Sequence, residues 1–402
     1  MAVVGAGLKA PGGLTVPALW ANLLAGVSTA RPLDDGRLPP GSDVLTSPIE
    51  GFDPSRYLNA VEIRRLDRCH HLAIGAAQDA MDAAGGELPP PDRCAVVCGV
   101  GFGATGTYEA QHVRLLEQGL HALSPLAIPI VMPNSVTAHL SLRFGFRGPS
   151  HTLSAACASG AAAIGEGIEL LRRGAADLVL AGGADAMVTY NAVCSFLRLD
   201  AVSRHVQEPE LASRPFDVDR DGFVLAEGAG FVVLQRPDDA QAAGRTILGL
   251  VVGYGTNSDA HHLVAPSPGG EGALVCMRLA LDDAGTTPSD IVHVNAHGTS
   301  TLLNDAAEAQ ALATLLPGTP PVSAVKATTG HMIGGSGAVE VIVTLWSLAH
   351  RLAPPIAGLR EIDPACPIDA VMRAPRPLGH GVAVSNSFGF GGANACLVLA
   401  PA

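Results

Sequence analysis

Three side chains able to act as nucleophile or proton donor stand in short segments of glycine or other small residues: Cys157, His297 and His331. Cys157 lies in Ala155-Ala156-Cys157-Ala158-Ser159-Gly160, after a strand-like stretch at 151–154 and before a helix predicted to run to about residue 173. A cysteine at a helix N-terminus faces unpaired N–H groups and the positive end of the dipole, which favour the thiolate. Its small neighbours leave room for a substrate. The same position also suits a buried, inert thiol. His297 ends a predicted buried strand and precedes Gly298, where α/β folds usually build their sites; alone, it also suits a core histidine bonded to backbone. His331 lies among Gly330, Gly334, Gly335 and Gly337, which let backbones pack closely around it.

Lys326 shares the His331 segment. The chain has 25 basic residues, of which only Lys9 and Lys326 are lysines. Retaining lysine where arginine serves elsewhere points to a need for a compact ammonium. Glu308, on the predicted helix after Thr301, is the expected partner of Lys326, an ordinary surface ion pair being the alternative. Thr299 and Thr301 can donate to an elongated polar substrate arm or simply to loop backbone. The turn Phe388-Gly389-Phe390-Gly391-Gly392-Ala393-Asn394 can present a backbone N–H to an oxyanion, with a movable aromatic beside it, or be a tight hairpin. Gly101-Phe102-Gly103-Ala104-Thr105-Gly106 fits the dinucleotide pattern G-x-G-x-x-G. A lone match is weak, and no compact βαβ unit with a terminal acid follows it. The pairs His70-His71 and His261-His262 lack the i, i+4 spacing of a helical metal site and read as surface or loop histidines.

The elements that position these residues repeat. A helix at 74–84, Gly85 and a strand at 94–98 are matched by a helix at 274–284, Gly285 and a strand at 291–295. Glycine after the last turn is the expected C-terminal cap. The helix opened by Cys157 and the strand at 178–181 are matched by a helix from Gly334 to about 350 and strands at 381–385 and 395–399. Alternating strands and helices predict an α/β fold: two mixed sheets packed around a shared helical layer. The halves divide into 1–243, carrying the cysteine, and 244–402, carrying both histidines. Residues 32–58 and 105–150 read as insertions that cap the site or form an interface.

Composition narrows the function. Hydrophobic residues make up 48% and charged residues 15%, a balance that suits closely packed helices and sheets. The net charge of −12 argues against nucleic acid as a partner. No run of 18 uninterrupted apolar residues predicts a membrane span. The opening lacks the basic and apolar regions of a signal peptide. Eight cysteines without a Cys-x-x-Cys pair suit a reduced, cytoplasmic protein.

The ordered set resembles the β-ketoacyl-acyl carrier protein synthase family of the thiolase superfamily, in particular the type II elongating enzymes and polyketide ketosynthases. It runs through Gly148-Pro149-Ser150, the Cys157 segment, Arg214-Pro215-Phe216-Asp217, Asp221-Gly222-Phe223-Val224 and Glu227-Gly228-Ala229-Gly230. It continues through Asn295–Thr301, Lys326 with Gly330-His331, and Asn386–Asn394. The resemblance implies a five-layer αβαβα thiolase-like fold and a condensing enzyme without metal or redox cofactor, its substrates carried on phosphopantetheine. Cys157 takes an acyl group. His297 and His331 promote decarboxylation of a malonyl-carrier thioester, and the N–H groups of Cys157 and Phe390 form an oxyanion hole. Thr299 and Thr301 hold the pantetheine arm, and Lys326 with Glu308 organises the histidines. The implied partners are an acyl carrier protein and a second subunit, identical or a chain-length factor of the same fold; no membrane partner is expected.

Two positions depart from the family pattern. Ala393 replaces a frequent Thr. Phe102 stands where the acyl pocket is lined and elongating fatty-acid synthases often carry a smaller aliphatic side chain. It favours the polyketide branch over fatty-acid synthesis. Phe388 and Phe390 complete the expected substrate lining. Arg64, Arg65 and Arg68 can form a basic patch for an acidic carrier, or an ordinary solvated helix face. A non-catalytic chain-length partner fits poorly because Cys157 and both histidines are present. A thiolase fits poorly because Phe390 stands where a second cysteine belongs. A cysteine hydrolase leaves the second histidine and the lysine without a role.

Overall fold

The computed structural model describes residues 1–33, 36, 38, 43–316 and 318–402. The first half holds β1 (Ala2–Lys9), α1 (Arg68–Ala84), β2 (Cys94–Gly99), β3 (Ser150–Leu153), α2 (Ser159–Arg172), β4 (Leu178–Ala186) and β5 (Leu225–Gln235). The second holds β6 (Gly249–Ser258), α3 (Glu271–Ala284), β7 (Ile291–Asn295), α4 (Leu302–Leu315), β8 (Val322–Ser323), α5 (Ser336–His350), β9 (Val382–Gly389) and β10 (Ala393–Ala400).

The halves repeat one topology. Strand order is β3-β2-β4-β5-β1 in the first and β8-β7-β9-β10-β6 in the second. In each, the first three strands are parallel and the last two pairings antiparallel. Short pairing between β1 and β6, at Ala2–Leu250 and Val3–Gly249, hydrogen-bonds the two into one larger sheet. The two sheets expected from the sequence are therefore two five-stranded halves joined at a seam.

Helices α2 and α5 pack on each other and on strands of both halves, while α1 covers the first half and α3 the second. The order of layers is thus α1, sheet, α2 with α5, sheet, α3. The shared layer must be apolar all round. In α5 the buried face includes Val339, Val341, Ile342, Val343 and Leu345. The segment Ile333–His350 is long and apolar enough to cross a membrane, but 83% of it is buried within the fold. Close helix–sheet contact also explains one repeated glycine. A Cβ on Gly7 would sit 2.2 Å from the Ala76 carbonyl of α1, and one on Gly255 2.2 Å from the Cys276 carbonyl of α3.

Helix α1 starts six residues earlier than predicted, because Asp67 caps it by accepting the Cys69 N–H. It therefore includes His70 and His71, which are buried rather than on the surface. His70 bonds to Ser135 at 2.8 Å inside the helix packing. His261 and His262 are exposed, as expected. The 105–150 insertion forms helices Thr105–Gln118, Ala127–Val131 and Ser135–Phe144. Of the 32–58 insertion, residues 34, 35, 37 and 39–42 lie outside the described residues. Within the remainder, Leu45–Ser47 pairs with β5 at Leu225 and Ala226.

Candidate active site

The duplicated architecture brings two equivalent turns together. Cys157 lies on the turn Ala156–Ala158 before α2, and the matching turn Ile333–Gly335 precedes α5, two residues after His331. Ala156 and Ile333 hold φ of 48° and 50°. Non-glycine residues keep such values only where their surroundings impose them. His297 follows β7, and Lys326 opens the short helix Lys326–Thr329.

His331 Nε2 lies 2.9 Å from Cys157 Sγ. Its Nδ1 accepts from the Ile333 N–H at 3.3 Å and faces the Ser336 hydroxyl at 3.1 Å. Ser336 Oγ itself accepts the Met332 N–H, so its proton is available to Nδ1. The proton of a neutral His331 is therefore on Nε2, directed at the sulfur. Lys326 sets His297 the same way. Its ammonium has three donors and three acceptors: His297 Nδ1 at 3.1 Å, the His297 carbonyl at 2.7 Å and Glu340 Oε1 at 2.5 Å. His297 thus also carries its proton on Nε2. Burial, with the Lys326 ammonium beside them, holds both imidazoles well below their usual range. At neutral pH the site holds two neutral N–H donors next to a thiol.

The expected Lys326–Glu308 pair does not form. Lys326 pairs with Glu340, from the middle of α5. Glu308, on α4, accepts the N–H groups of His297 and Gly298 at 2.8 and 2.9 Å and the Asn386 amide at 3.0 Å. Glu308 thus shapes the histidine's backbone, while Glu340 holds the lysine. The thiolate expectation is corrected too. Burial pushes the Cys157 thiol up to about 11, against the opposing Lys326 ammonium and the N–H groups of Phe390 and Cys157. Desolvation outweighs these attractions in the resting state, so the group waits as a thiol.

Those two N–H groups flank the sulfur because the Phe390 turn lies against Cys157. A Cβ on Gly389 would sit 2.5 Å from the Ala155 carbonyl and 3.2 Å from the Cys157 nitrogen. The site opens into a cavity of about 350 Å³. Thr299 and Thr301 line it, their hydroxyls 2.9 Å apart, as do Phe102, Phe388 and Phe390. Phe388 packs edge-on against His297 with ring centres 5.8 Å apart. Arg64 and Arg65 are exposed. Arg68 is not available in the same way: it holds Glu227 through contacts of 2.9 and 3.1 Å, with its guanidinium over Phe52.

Cys157, His297 and His331 offer ligand atoms within 4.8 Å of one another, the donor set of a zinc site. They fit a metal poorly, because both Nδ1 atoms accept hydrogen bonds and both Nε2 lone pairs are taken by protons. Asn295 Oδ1, Asn386 Oδ1 and Glu340 Oε2 are buried without a protein donor. Sequence reading missed three residues that hold the site: Glu340, Ser336 and Asp305. Asp305 accepts the N–H groups of Phe216, Thr299 and Ser300. For Glu340 the available signal was an acid inside an otherwise apolar helix.

Comparison with known proteins gives the family. The profile "Beta-ketoacyl synthase, N-terminal domain" matches residues 1–240, and "Beta-ketoacyl synthase, C-terminal domain" matches 248–360. A 3-oxoacyl-[acyl-carrier-protein] synthase 2 of Staphylococcus aureus is 37% identical, over 99% of this chain and 100% of its own length. A beta-ketoacyl synthase structure from Burkholderia phymatum superposes with a TM-score of 0.94 at 32% identity, covering 100% of this chain and 99% of that one. The ishigamide ketosynthase/chain length factor structure gives 0.92 at 31%, covering 100% and 98%. With both halves matched and the thiol–imidazole cluster in place, the chain belongs to the beta-ketoacyl synthase family of acyltransferase-type condensing enzymes.

Proposed function

We propose that this chain condenses an acyl group held on Cys157 with a malonyl thioester on an acyl carrier protein, lengthening the chain by two carbons. The observation that carries the reading is the pair of Nε2–H donors beside one buried thiol. In the first step Cys157 Sγ forms a bond to the acyl carbon. The carbon–sulfur bond to the carrier's pantetheine breaks, and the thiol proton leaves with that sulfur. In the second, the malonyl C–C bond to its carboxylate breaks. Carbon dioxide departs, and the electron pair moves onto the thioester oxygen as an enolate. The N–H groups of His297 and His331 hold that charge better than the ground-state carbonyl, which is what acceleration requires. The enolate carbon then bonds to the acyl carbon, with the N–H groups of Cys157 and Phe390 receiving the tetrahedral oxygen. Collapse breaks the bond to Cys157, which takes up one proton. Thr299 and Thr301 hold the pantetheine arm, and Arg64 and Arg65 meet the acidic carrier. The steps require no metal or redox cofactor and take place in the cytoplasm.

We place the chain in type II polyketide synthesis, paired with a second subunit of the same fold. Phe102 supports this: it lines the cavity and is 57% exposed, immediately before the 105–150 insertion. That insertion presents Leu116 at 72% and Leu142 at 79% exposure. The helix carrying Leu142 packs on β3, the edge strand. An exposed edge with apolar side chains calls for a partner. Fatty-acid elongation by a homodimer is the second reading, favoured by the 37% identical synthase 2. Purified chain, a primed carrier and malonyl-carrier decide between them. Condensation only after adding a chain-length subunit supports the polyketide reading; unaided elongation of saturated acyl chains supports the other.

A further inference from the structure

The G-x-G-x-x-G loop of residues 101–106 has a ligand after all, supplied by the protein itself. Three successive N–H groups, of Gly101, Phe102 and Gly103, converge on the Asp185 carboxylate at 2.7, 3.1 and 2.8 Å. A run of N–H groups like this makes an anion-binding nest. Asp185 is fully buried at the end of β4. A fourth N–H, that of Gly334, reaches the same carboxylate from the other half of the molecule at 2.8 Å. The fit leaves no slack: a Cβ on Gly101 would sit 2.8 Å from Asp185 Oδ2 and 2.5 Å from Ile333, and one on Gly334 2.6 Å from the same oxygen.

Each end of this clamp leads to a working part of the cavity. On one side it fixes the backbone of Phe102, whose ring lines the cavity that holds Cys157. On the other it fixes Gly334, next to Ile333, whose N–H sets the proton position of His331. We infer that Asp185 is a positioning residue that couples acyl-length selection at Phe102 to the donor geometry of His331. This rests on the condensing reading above and names how its pocket is held. A hydrogen bond to a buried carboxylate is stronger than a neutral one, and leaving a donor unpaired is costly. In Asp185→Asn the charge that strengthens all four hydrogen bonds is lost, and one oxygen becomes an NH₂ that faces two N–H donors, so both sides of the clamp loosen together.

The test follows acylation of Cys157 by butyryl and dodecanoyl N-acetylcysteamine thioesters by intact mass, and decarboxylation of malonyl-carrier, in wild type, Asp185→Asn, Phe102→Ala and the double variant. We expect Asp185→Asn to shrink the preference between the two thioesters by about tenfold and to slow decarboxylation by at least about tenfold, factors that a loosened charged hydrogen bond supplies. Phe102→Ala alters the preference, and adding Asp185→Asn to it changes the preference no further, the mark of a shared pathway. The inference is overturned if Asp185→Asn changes only one of the two readouts, or if its effect on preference is additive with Phe102→Ala. Should Asp185→Asn not fold, amide hydrogen exchange on wild type decides. Loading with dodecanoyl must change protection of residues 100–104 and 332–336 together, whereas change in one segment alone refutes the coupling. A wild type that never condenses would instead sink the condensing reading, so the two failures are distinct.

Discussion

Replacing Lys326 by methionine separates the lysine's contribution to stability from its role in the site. The change keeps most of the volume and removes three donors, leaving Glu340 fully buried without its partner. Removing one member of a buried ion pair costs about 3–5 kcal/mol, a large share of the ~5–15 kcal/mol that holds a domain folded. Lys326→Met/Glu340→Leu also removes the stranded carboxylate. Exchanging a whole buried pair for apolar groups is often neutral or stabilising, so the double variant should recover most of the loss. Activity should not follow. In both variants His297 Nδ1 lacks its donor, and its Nε2–H is no longer fixed toward the cavity. Malonyl-carrier decarboxylation should fall by ~100-fold or more, the scale of losing one preorganised oxyanion donor. Urea unfolding reads the first quantity and carbon dioxide release the second. A double variant as unstable as the single one, or one that regains decarboxylation, would refute the reasoning.

Three further outcomes follow from the geometry. Because the Cys157 thiol is pushed up to about 11, its thiolate fraction grows with pH: alkylation by iodoacetamide should rise about tenfold per pH unit between 7 and 10, and a plateau below pH 8 would contradict the buried-thiol assignment. Because both Nε2 atoms carry protons, Co²⁺ added at neutral pH should give no sulfur-to-metal absorption band; a band with ~micromolar affinity would overturn the proton positions. Leu142→Asp places a charge beside the β3 edge and should convert a dimer to monomer in sedimentation velocity, whereas an unchanged dimer would move the interface elsewhere.

Much of the site was legible because its chemistry is local. Cys157, His297, His331 and Lys326 each sit in a short glycine-rich or small-residue segment at the end of a strand or the start of a helix, and the repeat of helix, glycine and strand gave the duplication. Partner choice was not legible. Glu308 and Glu340 both lie on helices C-terminal to a histidine, and only packing decides which face turns to Lys326. A single acid in the apolar run Ala338-Val339-Glu340-Val341-Ile342 was the clue, since charge is rarely buried unpaired. Arg68 shows the same limit: its carboxylate, Glu227, is 159 residues away. The state of Cys157 was missed for another reason. The helix end was visible in sequence, but the desolvation that opposes it depends on residues from both halves. The buried His70 was misread because its spacing excludes a metal site without saying which way the helix faces.

Cys157 is the acyl acceptor in the proposed reaction, and intact-mass analysis tests that most directly. Wild type and Cys157→Ala are each mixed with acyl-carrier and malonyl-carrier proteins. Wild type alone should gain an acyl adduct, followed by a ketoacyl carrier two carbons longer. If Cys157→Ala also acquires the adduct and condenses at the wild-type rate, the nucleophile lies elsewhere and the central claim is wrong.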